Sequence, residues 1–161
     1  MKRSNTDKVI IKTRKISKSF PGVRALHNVD FKVYTGKVNA VVGENGAGKS
    51  TLMNILSGVY TEYEGELLLN GQKTAFKDTT DARDVGISII HQELQLAPNL
   101  SIAENIFLGR EPINKFGFID HKRMEEEASA LLNKLEFDTN VSNKISTCRI
   151  GQQQIVEIAK A

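Results

Sequence analysis

An α/β fold built around a phosphate-binding loop is predicted by three observations. Residues 43–50 read Gly-Glu-Asn-Gly-Ala-Gly-Lys-Ser and match the spacing G-x-x-x-x-G-K-[ST] at every fixed position. Residues 38–42 before the loop are mostly apolar, as a buried parallel strand requires. Residues 51–57 after it place their apolar side chains on one helical face, and Gly58 is the predicted end of that helix. A chance glycine-rich turn would not carry this strand and this helix on its two sides.

Each residue type in the loop suits the binding of phosphate. Glycines let successive backbone N–H groups approach phosphate oxygens without a Cβ in the way, and the start of the following helix adds a positive dipole end. Lys49 supplies a point charge for the β- and γ-phosphates, and the Ser50 hydroxyl can ligate Mg²⁺. The sequence therefore predicts a site for nucleotide phosphates and magnesium.

The distribution of charge argues against nucleic acid as a partner, although the net charge is +3. Residues 1–18 carry a net +6, from seven Lys and Arg against one Asp, which leaves −3 for the rest. The basic leader over residues 1–8 is expected to be disordered, and no aromatic side chains alternate with its charges to stack on bases. The single cysteine, Cys148, suits a reducing compartment, and no apolar run reaches 18 residues. A cytosolic protein without nucleic acid is expected.

Antiparallel strands are predicted on both sides of the loop. Residues 9–16 form a first strand, and residues 29–34 alternate apolar with polar side chains as a half-buried strand does. After the loop helix, residues 66–69 form a strand that an Asn-Gly turn closes, and residues 87–90 form another short strand.

A helical block follows. Ser101 and Glu104 form a capping box that opens a helix through about Leu108, and Asp120 caps a longer amphipathic helix. A last helix starts near Gly151.

The loop alone leaves several classes of protein open. A nucleotide monophosphate kinase would have its loop after the first strand, whereas two strands precede it here. A GTPase needs the string N-K-x-D, and the nearest match, residues 133–136, ends in Glu within a predicted helix. A small-molecule phosphotransferase remains a less favoured alternative.

Five segments together resemble the ATP-binding subunits of bacterial ABC transporters, nearest to the ribose-import ATP-binding proteins of the ribose/galactose type. They are residues 20–26, 43–51, 86–94, 105–110 and 151–161, and the resemblance runs from Val9 to Ala161. It implies a P-loop NTPase cassette with N-terminal antiparallel strands, a P-loop core and a helical subdomain. The implied boundaries are 9–94 for the first part of the nucleotide-binding core, 95–147 for the helical subdomain, and 148–161 for the signature motif with its helix.

The same resemblance implies a function. The chain would be the ATP-binding subunit of a sugar importer, an ATPase that binds ATP and Mg²⁺ to energise monosaccharide uptake. Its partners would be membrane-spanning permease subunits, a second ATP-binding cassette and, indirectly, a periplasmic sugar-binding protein. It would lie in the cytoplasm on the inner face of the plasma membrane. The resemblance does not specify the sugar.

Roles for individual residues follow from matching positions. Phe20 would stack on adenine, with a core phenylalanine beside Pro21 as the alternative. Gln92 would bridge Mg²⁺ and the attacking water, so that Lys49 and Gln92 are the catalytic candidates and Ser50 and Gln92 the metal candidates. The nucleotide-binding residues would be Phe20, Gly43, Glu44, Asn45, Gly46, Ala47, Gly48, Lys49, Ser50 and Thr51.

Two departures from the family pattern bear on activity. The signature, usually Leu-Ser-x-Gly-Gln, reads Cys-Arg-Ile-Gly-Gln here, so that Arg149 replaces the serine beside Ile150, Gly151 and Gln152. No apolar run followed by Asp-Glu, the Walker B motif, and no histidine switch occur up to Ala161. Because general-base assistance contributes about 10²–10⁴ in rate, little hydrolysis is expected. The chain is expected to be truncated, with 38–42 as an uncovered apolar edge. The alternative function is a remnant that binds nucleotide without hydrolysis or transport.

Overall fold

The computed structural model describes residues 8–161, so the predicted leader lies outside the described residues except for Lys8. The chain divides into two compact units, one ending at Ile89 and one from Ile90 to Ala161. None of the described helices combines the length and the apolar composition needed to cross a bilayer.

The first unit contains a four-stranded antiparallel sheet in the order β2-β1-β3-β4. Its strands are β1 (Val9–Phe20), β2 (Val23–Tyr34), β3 (Glu64–Leu69) and β4 (Gln72–Thr74). The predicted antiparallel strands before the loop are confirmed, and both are longer than expected. The turn between β3 and β4 has φ of 51° at Asn70 and 83° at Gly71, as the Asn-Gly pair predicts for a tight hairpin.

Two helices accompany this sheet, α1 (Lys49–Leu56) and α2 (Thr79–Asp84). The apolar face of α1 is buried in a core that includes Ile16 and Leu26 of the sheet, and Gly58 follows the helix at φ 75°. The α2 helix was not predicted. Its cap is nevertheless visible in the sequence, because Asp78 accepts hydrogen bonds from Thr80 N at 2.7 Å and Asp81 N at 3.0 Å.

The predicted strands at 38–42 and 87–90 are wrong. Neither segment joins a ladder with any strand in residues 8–161. The side chains of Val38 and Val42 are 100% and 92% exposed, as expected of an uncovered apolar segment. A buried parallel strand exists only through hydrogen bonds to its neighbours and layers above and below it. Among the described residues, 38–42 and 87–90 have no such neighbouring strands. Their apolar sequences are therefore not sufficient to form strands.

The second unit is built on three helices, α3 (Ile102–Phe107), α4 (His121–Lys134) and α5 (Ile150–Lys160), with a short 3₁₀ turn at Ile145–Thr147. Their apolar faces share one core, whose fully buried members include Ile102, Ile106, Met124, Leu132 and Val156.

The predicted caps of α3 and α4 are confirmed. Glu104 N donates to Ser101 Oγ at 3.2 Å while Ser101 N donates to Glu104 Oε2 at 2.7 Å. That backbone N–H of Ser101 holds the pKa of the Glu104 carboxyl below its usual range. Arg123 N donates to Asp120 Oδ1 at 3.1 Å at the start of α4.

Polar side chains fix the irregular segment before α3. The buried Asn105 accepts from Ala97 N at 2.7 Å and donates to Ala97 O at 3.0 Å and Ser101 O at 2.9 Å. Lys160 Nζ donates to Gln95 O at 3.0 Å. Backbone bonds add to these, because Ser146 N donates to Pro98 O at 3.0 Å and Ile145 N donates to Leu100 O at 3.1 Å. The segment from 95 to 101 is therefore held by side-chain and isolated backbone hydrogen bonds rather than by a regular ladder.

Candidate functional site

The predicted phosphate-binding loop forms an exposed turn directly before α1. Gly46 and Gly48 have φ of 84° and 85°, in the left-handed region that favours glycine. Ala47 N donates to Glu44 O at 3.2 Å and closes the turn. Gly48 is the N-cap of α1 and has no side chain to occupy the first N–H groups of the helix. Those N–H groups remain available to an anion.

Gly48 is required for space as well as for conformation. A Cβ built on it would lie 2.5 Å from Ala25 O and 2.6 Å from Leu26 Cδ2, both on β2. A Cβ on Gly46 would meet nothing within 4 Å. The antiparallel sheet therefore lies directly against the helix end of the loop, and this contact sets where the loop meets α1.

Lys49 bends back over the loop. Its Nζ donates to Gly43 O at 2.7 Å and to Glu44 O at 2.8 Å. The positive charge is thereby held at the loop, next to the start of α1, where Ser50 is exposed and Thr51 is half-buried. An ammonium and free helix N–H groups are suited to phosphate oxygens, and a hydroxyl oxygen is of the ligand type that Mg²⁺ takes.

Phe20 ends β1 and is only half-buried, so it is not a core residue. Its ring meets Tyr60 edge to face, with centroids 5.4 Å apart. Lys18 Nζ lies 5.4 Å from the Phe20 centroid and 5.8 Å from the Tyr60 centroid, and it donates to Glu62 O at 2.5 Å. Sequence reasoning missed Lys18 and Tyr60. The two-residue spacing of Lys18 and Phe20, which places both on one face of a strand, was the available signal for Lys18.

Gln92 lies in the second unit, in an exposed segment without regular structure. The loop residues and Phe20 belong to the first unit. The sequence-predicted catalytic pair, Lys49 and Gln92, is therefore divided between the two units. Three residues after Gln92, the carbonyl of Gln95 is held by Lys160 of α5.

The signature residues form the start of α5. Arg149 is the N-cap, and its backbone N donates to Gln152 Oε1 at 2.8 Å. This is half of a capping box, because an arginine side chain has no acceptor for the helix N–H groups. Gly151 is exposed, and a Cβ there would meet nothing within 4 Å. Packing among the described residues therefore does not require glycine at position 151.

We expect Arg149→Ser to stabilise α5 by about 1 kcal/mol, because a serine hydroxyl would accept from the third helical N–H and complete the capping box. Urea unfolding measures this gain. Arg149→Ala is the matched control, since it removes the cation without adding an acceptor. Equal stabilities of the serine and alanine variants would contradict the capping argument.

Comparison with known proteins identifies the family. A family model described as ABC transporter matches residues 26–161. The chain is 49% identical over 156 residues to a ribose import ATP-binding protein of Rhodopirellula baltica, covering 97% of this chain and 30% of that protein. It is 48% identical over 152 residues to a putative ribose/galactose/methyl galactoside import ATP-binding protein of Burkholderia cenocepacia, covering 94% of this chain and 29% of that protein. The chain thus spans about 30% of the length of these curated relatives.

Solved structures agree with this match. A nucleotide-free ATP-binding cassette from an ABC transporter superposes with a TM-score of 0.77 at 28% identity, covering 95% of this chain and 64% of that one. An ABC transporter cassette in its ADP conformation gives 0.78 at 26% identity, with 94% and 63% covered. The predicted P-loop cassette fold is confirmed, and the chain belongs to the ABC transporter family of ATP-binding cassettes.

Proposed function

We propose that this chain binds Mg·ATP through the loop at 43–50, as the ATP-binding part of an ABC-type sugar importer. The observation that carries the proposal is the position of the Lys49 ammonium, held over the loop by two of its carbonyls beside the uncapped start of α1. Lys49 and the first N–H groups of α1 would hold the β- and γ-phosphates, and the Ser50 hydroxyl would ligate Mg²⁺. Phe20 would contact adenine.

The names of the relatives support sugar import as the process that nucleotide binding serves. In that process the chain would act with membrane-spanning permease subunits, a second cassette and a periplasmic sugar-binding protein, on the cytoplasmic face of the membrane. ATP binding supplies the free energy, and this chain's residues bind and orient the polyphosphate. Gln92 would orient water and metal through its amide, which offers both an acceptor and donors.

A second candidate function is nucleotide binding without hydrolysis. Arg149 favours it, because the signature position lacks the small hydroxyl of the family pattern and presents a long cation in its place. A weakened composite site with a second cassette would result. In that case Arg149→Ser should raise ATP turnover in a longer form of the protein.

The test is titration of the purified chain with a fluorescent ATP analogue in the presence of Mg²⁺. Lys49→Ala is expected to weaken binding by about 10- to 100-fold, because it removes a charge-assisted contact worth about 1.5–3 kcal/mol. Lys32→Ala, which removes an exposed lysine on β2, is the matched control and should bind as the unmodified chain does. No saturable binding to folded protein at millimolar nucleotide would overturn the proposal.

Further assays separate the alternatives. Release of phosphate from ATP that increases when membrane subunits are added supports the function in sugar import. Nucleotide binding without release supports the non-catalytic remnant. Phosphoryl transfer to a nucleotide or sugar would instead identify a phosphotransferase.

A further inference from the structure

The Phe20 ring lies outside the core of the first unit. Among the described residues, it belongs to neither hydrophobic cluster of that unit. Tyr60, which packs against the cluster that contains Ile16 and Leu52, meets the Phe20 ring edge to face with centroids 5.4 Å apart. Because Phe20 is half-buried at the end of β1, part of its surface is accessible to a ligand.

A single ammonium connects the two rings. Lys18 Nζ lies 5.4 Å from the centroid of Phe20 and 5.8 Å from that of Tyr60. A cation within about 6 Å of a ring centroid is attracted by the quadrupole of the ring. The same Nζ donates to Glu62 O at 2.5 Å, a hydrogen bond between residues 44 positions apart. Lys18 therefore fixes both rings relative to the segment that precedes β3.

These side chains lie on the side of the sheet that carries the phosphate-binding loop. Lys18 is directly opposite Leu26 in the ladder of β1 with β2, so both side chains project from one face. Leu26 is buried in one cluster with apolar side chains of α1, and its Cδ2 would lie 2.6 Å from a Cβ on Gly48. Phe20 follows Lys18 by two residues and projects from that face as well. The ammonium and the Phe20 ring are therefore on the same side of the sheet as the end of the loop.

We propose that Lys18 positions the Phe20 ring for the nucleobase, so that the affinity for ATP depends on a lysine that does not touch the nucleotide. This inference rests on the proposed function, because it takes the contact of Phe20 with adenine from it. A free ring at the end of a strand loses rotamer freedom when a base stacks on it, and this loss weakens binding. The Lys18 ammonium orders the ring beforehand, so the stacking contact forms with little further loss.

Calorimetric titration of the full chain with Mg·ATP and with Mg·tripolyphosphate separates the base from the phosphates. Lys18→Leu removes the charge and should weaken the binding of Mg·ATP by about 3- to 10-fold relative to Mg·tripolyphosphate. Loss of a positive charge alone weakens both ligands equally, as expected for Lys12→Leu, the matched control on the same strand. Lys18→Arg keeps a cation beside the rings, so its ratio of dissociation constants should stay within about twofold of that of the unmodified chain.

A Phe20→Leu background tests whether Lys18 acts through the ring. In that background Lys18→Leu should change the ratio by less than about twofold, because the ring that it positions is gone. An equal change with and without the ring would overturn the proposal, as would an unchanged ratio in Lys18→Leu alone. Thermal unfolding establishes that each variant is folded. If Lys18→Leu does not fold, Lys18→Gln, which keeps a donor for Glu62 O, is measured instead.

The two ligands also distinguish this inference from the proposed function. Tighter binding of Mg·ATP than of Mg·tripolyphosphate, with the same ratio in Lys18→Leu, removes only the role of Lys18. Equal affinity of the unmodified chain for both ligands removes the contact of Phe20 with adenine and this inference, while the phosphate site stands. Binding of neither ligand to folded protein overturns the proposed function and the inference that rests on it.

Discussion

Gly48→Ala is expected to destabilise the first unit by about 2–5 kcal/mol and to abolish nucleotide binding. Holding alanine at φ 85° costs about 1–2 kcal/mol, and forcing a methyl group into a close-packed site adds about 1–3 kcal/mol. The added Cβ would lie 2.5 Å from Ala25 O and 2.6 Å from Leu26 Cδ2. Because the first of these neighbours is backbone, the loop and β2 would have to separate, and the start of α1 would move with the loop.

Gly46→Ala is the matched control. Gly46 has nearly the same φ, 84°, but a Cβ there meets nothing within 4 Å. It should therefore cost only the conformational part, about 1–2 kcal/mol. Urea unfolding and nucleotide titration of both variants measure the difference. If the two alanines were equally destabilising, the contact with β2 would have no energetic role, and the argument from packing would fail.

Asn105→Ala is expected to destabilise the second unit by about 1–3 kcal/mol, because it leaves the N–H of Ala97 without its acceptor. Ala97 O and Ser101 O keep the backbone donors Leu100 N and Asn105 N. Asn105 is fully buried and bonds to both backbone groups of Ala97 and to the carbonyl of Ser101. The substitution should also raise the hydrogen-exchange rate of the Ala97 N–H, because it removes the side-chain oxygen that accepts the hydrogen bond of this group.

Two further variants separate hydrogen bonding from packing at this position. Asn133→Ala removes an exposed asparagine from α4 and should change stability by no more than about 0.5 kcal/mol. Asn105→Asp keeps the shape of the side chain but removes its two N–H donors, so it should destabilise the unit as well. A small loss in Asn105→Ala, below about 1 kcal/mol, would show that the segment before α3 is held by other contacts.

The sequence was sufficient to predict elements that depend on local signals. The tight turn at Asn70 and Gly71, the capping box of Ser101 with Glu104, and the cap at Asp120 each involve residues within a few positions of one another. The strands predicted at 38–42 and 87–90 were wrong because a ladder is a property of neighbouring segments. The α2 helix was missed because its six residues carry too short an apolar pattern to stand out.

In the candidate site, too, local features could be predicted from the sequence and contacts between distant residues could not. Spacing alone located the loop, and the structure has its glycines in the conformation that the motif requires. The contact of Gly48 with β2 could not be foreseen, because Ala25 lies more than twenty residues earlier in the chain. The same holds for Tyr60 beside Phe20. The hydrogen bonds between the Asn105 side chain and the backbone of Ala97 could not be predicted either, since an asparagine within a helix normally indicates a solvent-facing position.

The last turn of α5 is bonded to two other segments of the second unit. Lys160 donates to Gln95 O through its ammonium and accepts at its own carbonyl from Arg110 Nη2 at 2.6 Å. Arg149 stands at the opposite end of the same helix. The C-terminal end of α5 is therefore tied on one side to the segment that leads back to Gln92 and on the other to the residues that follow α3.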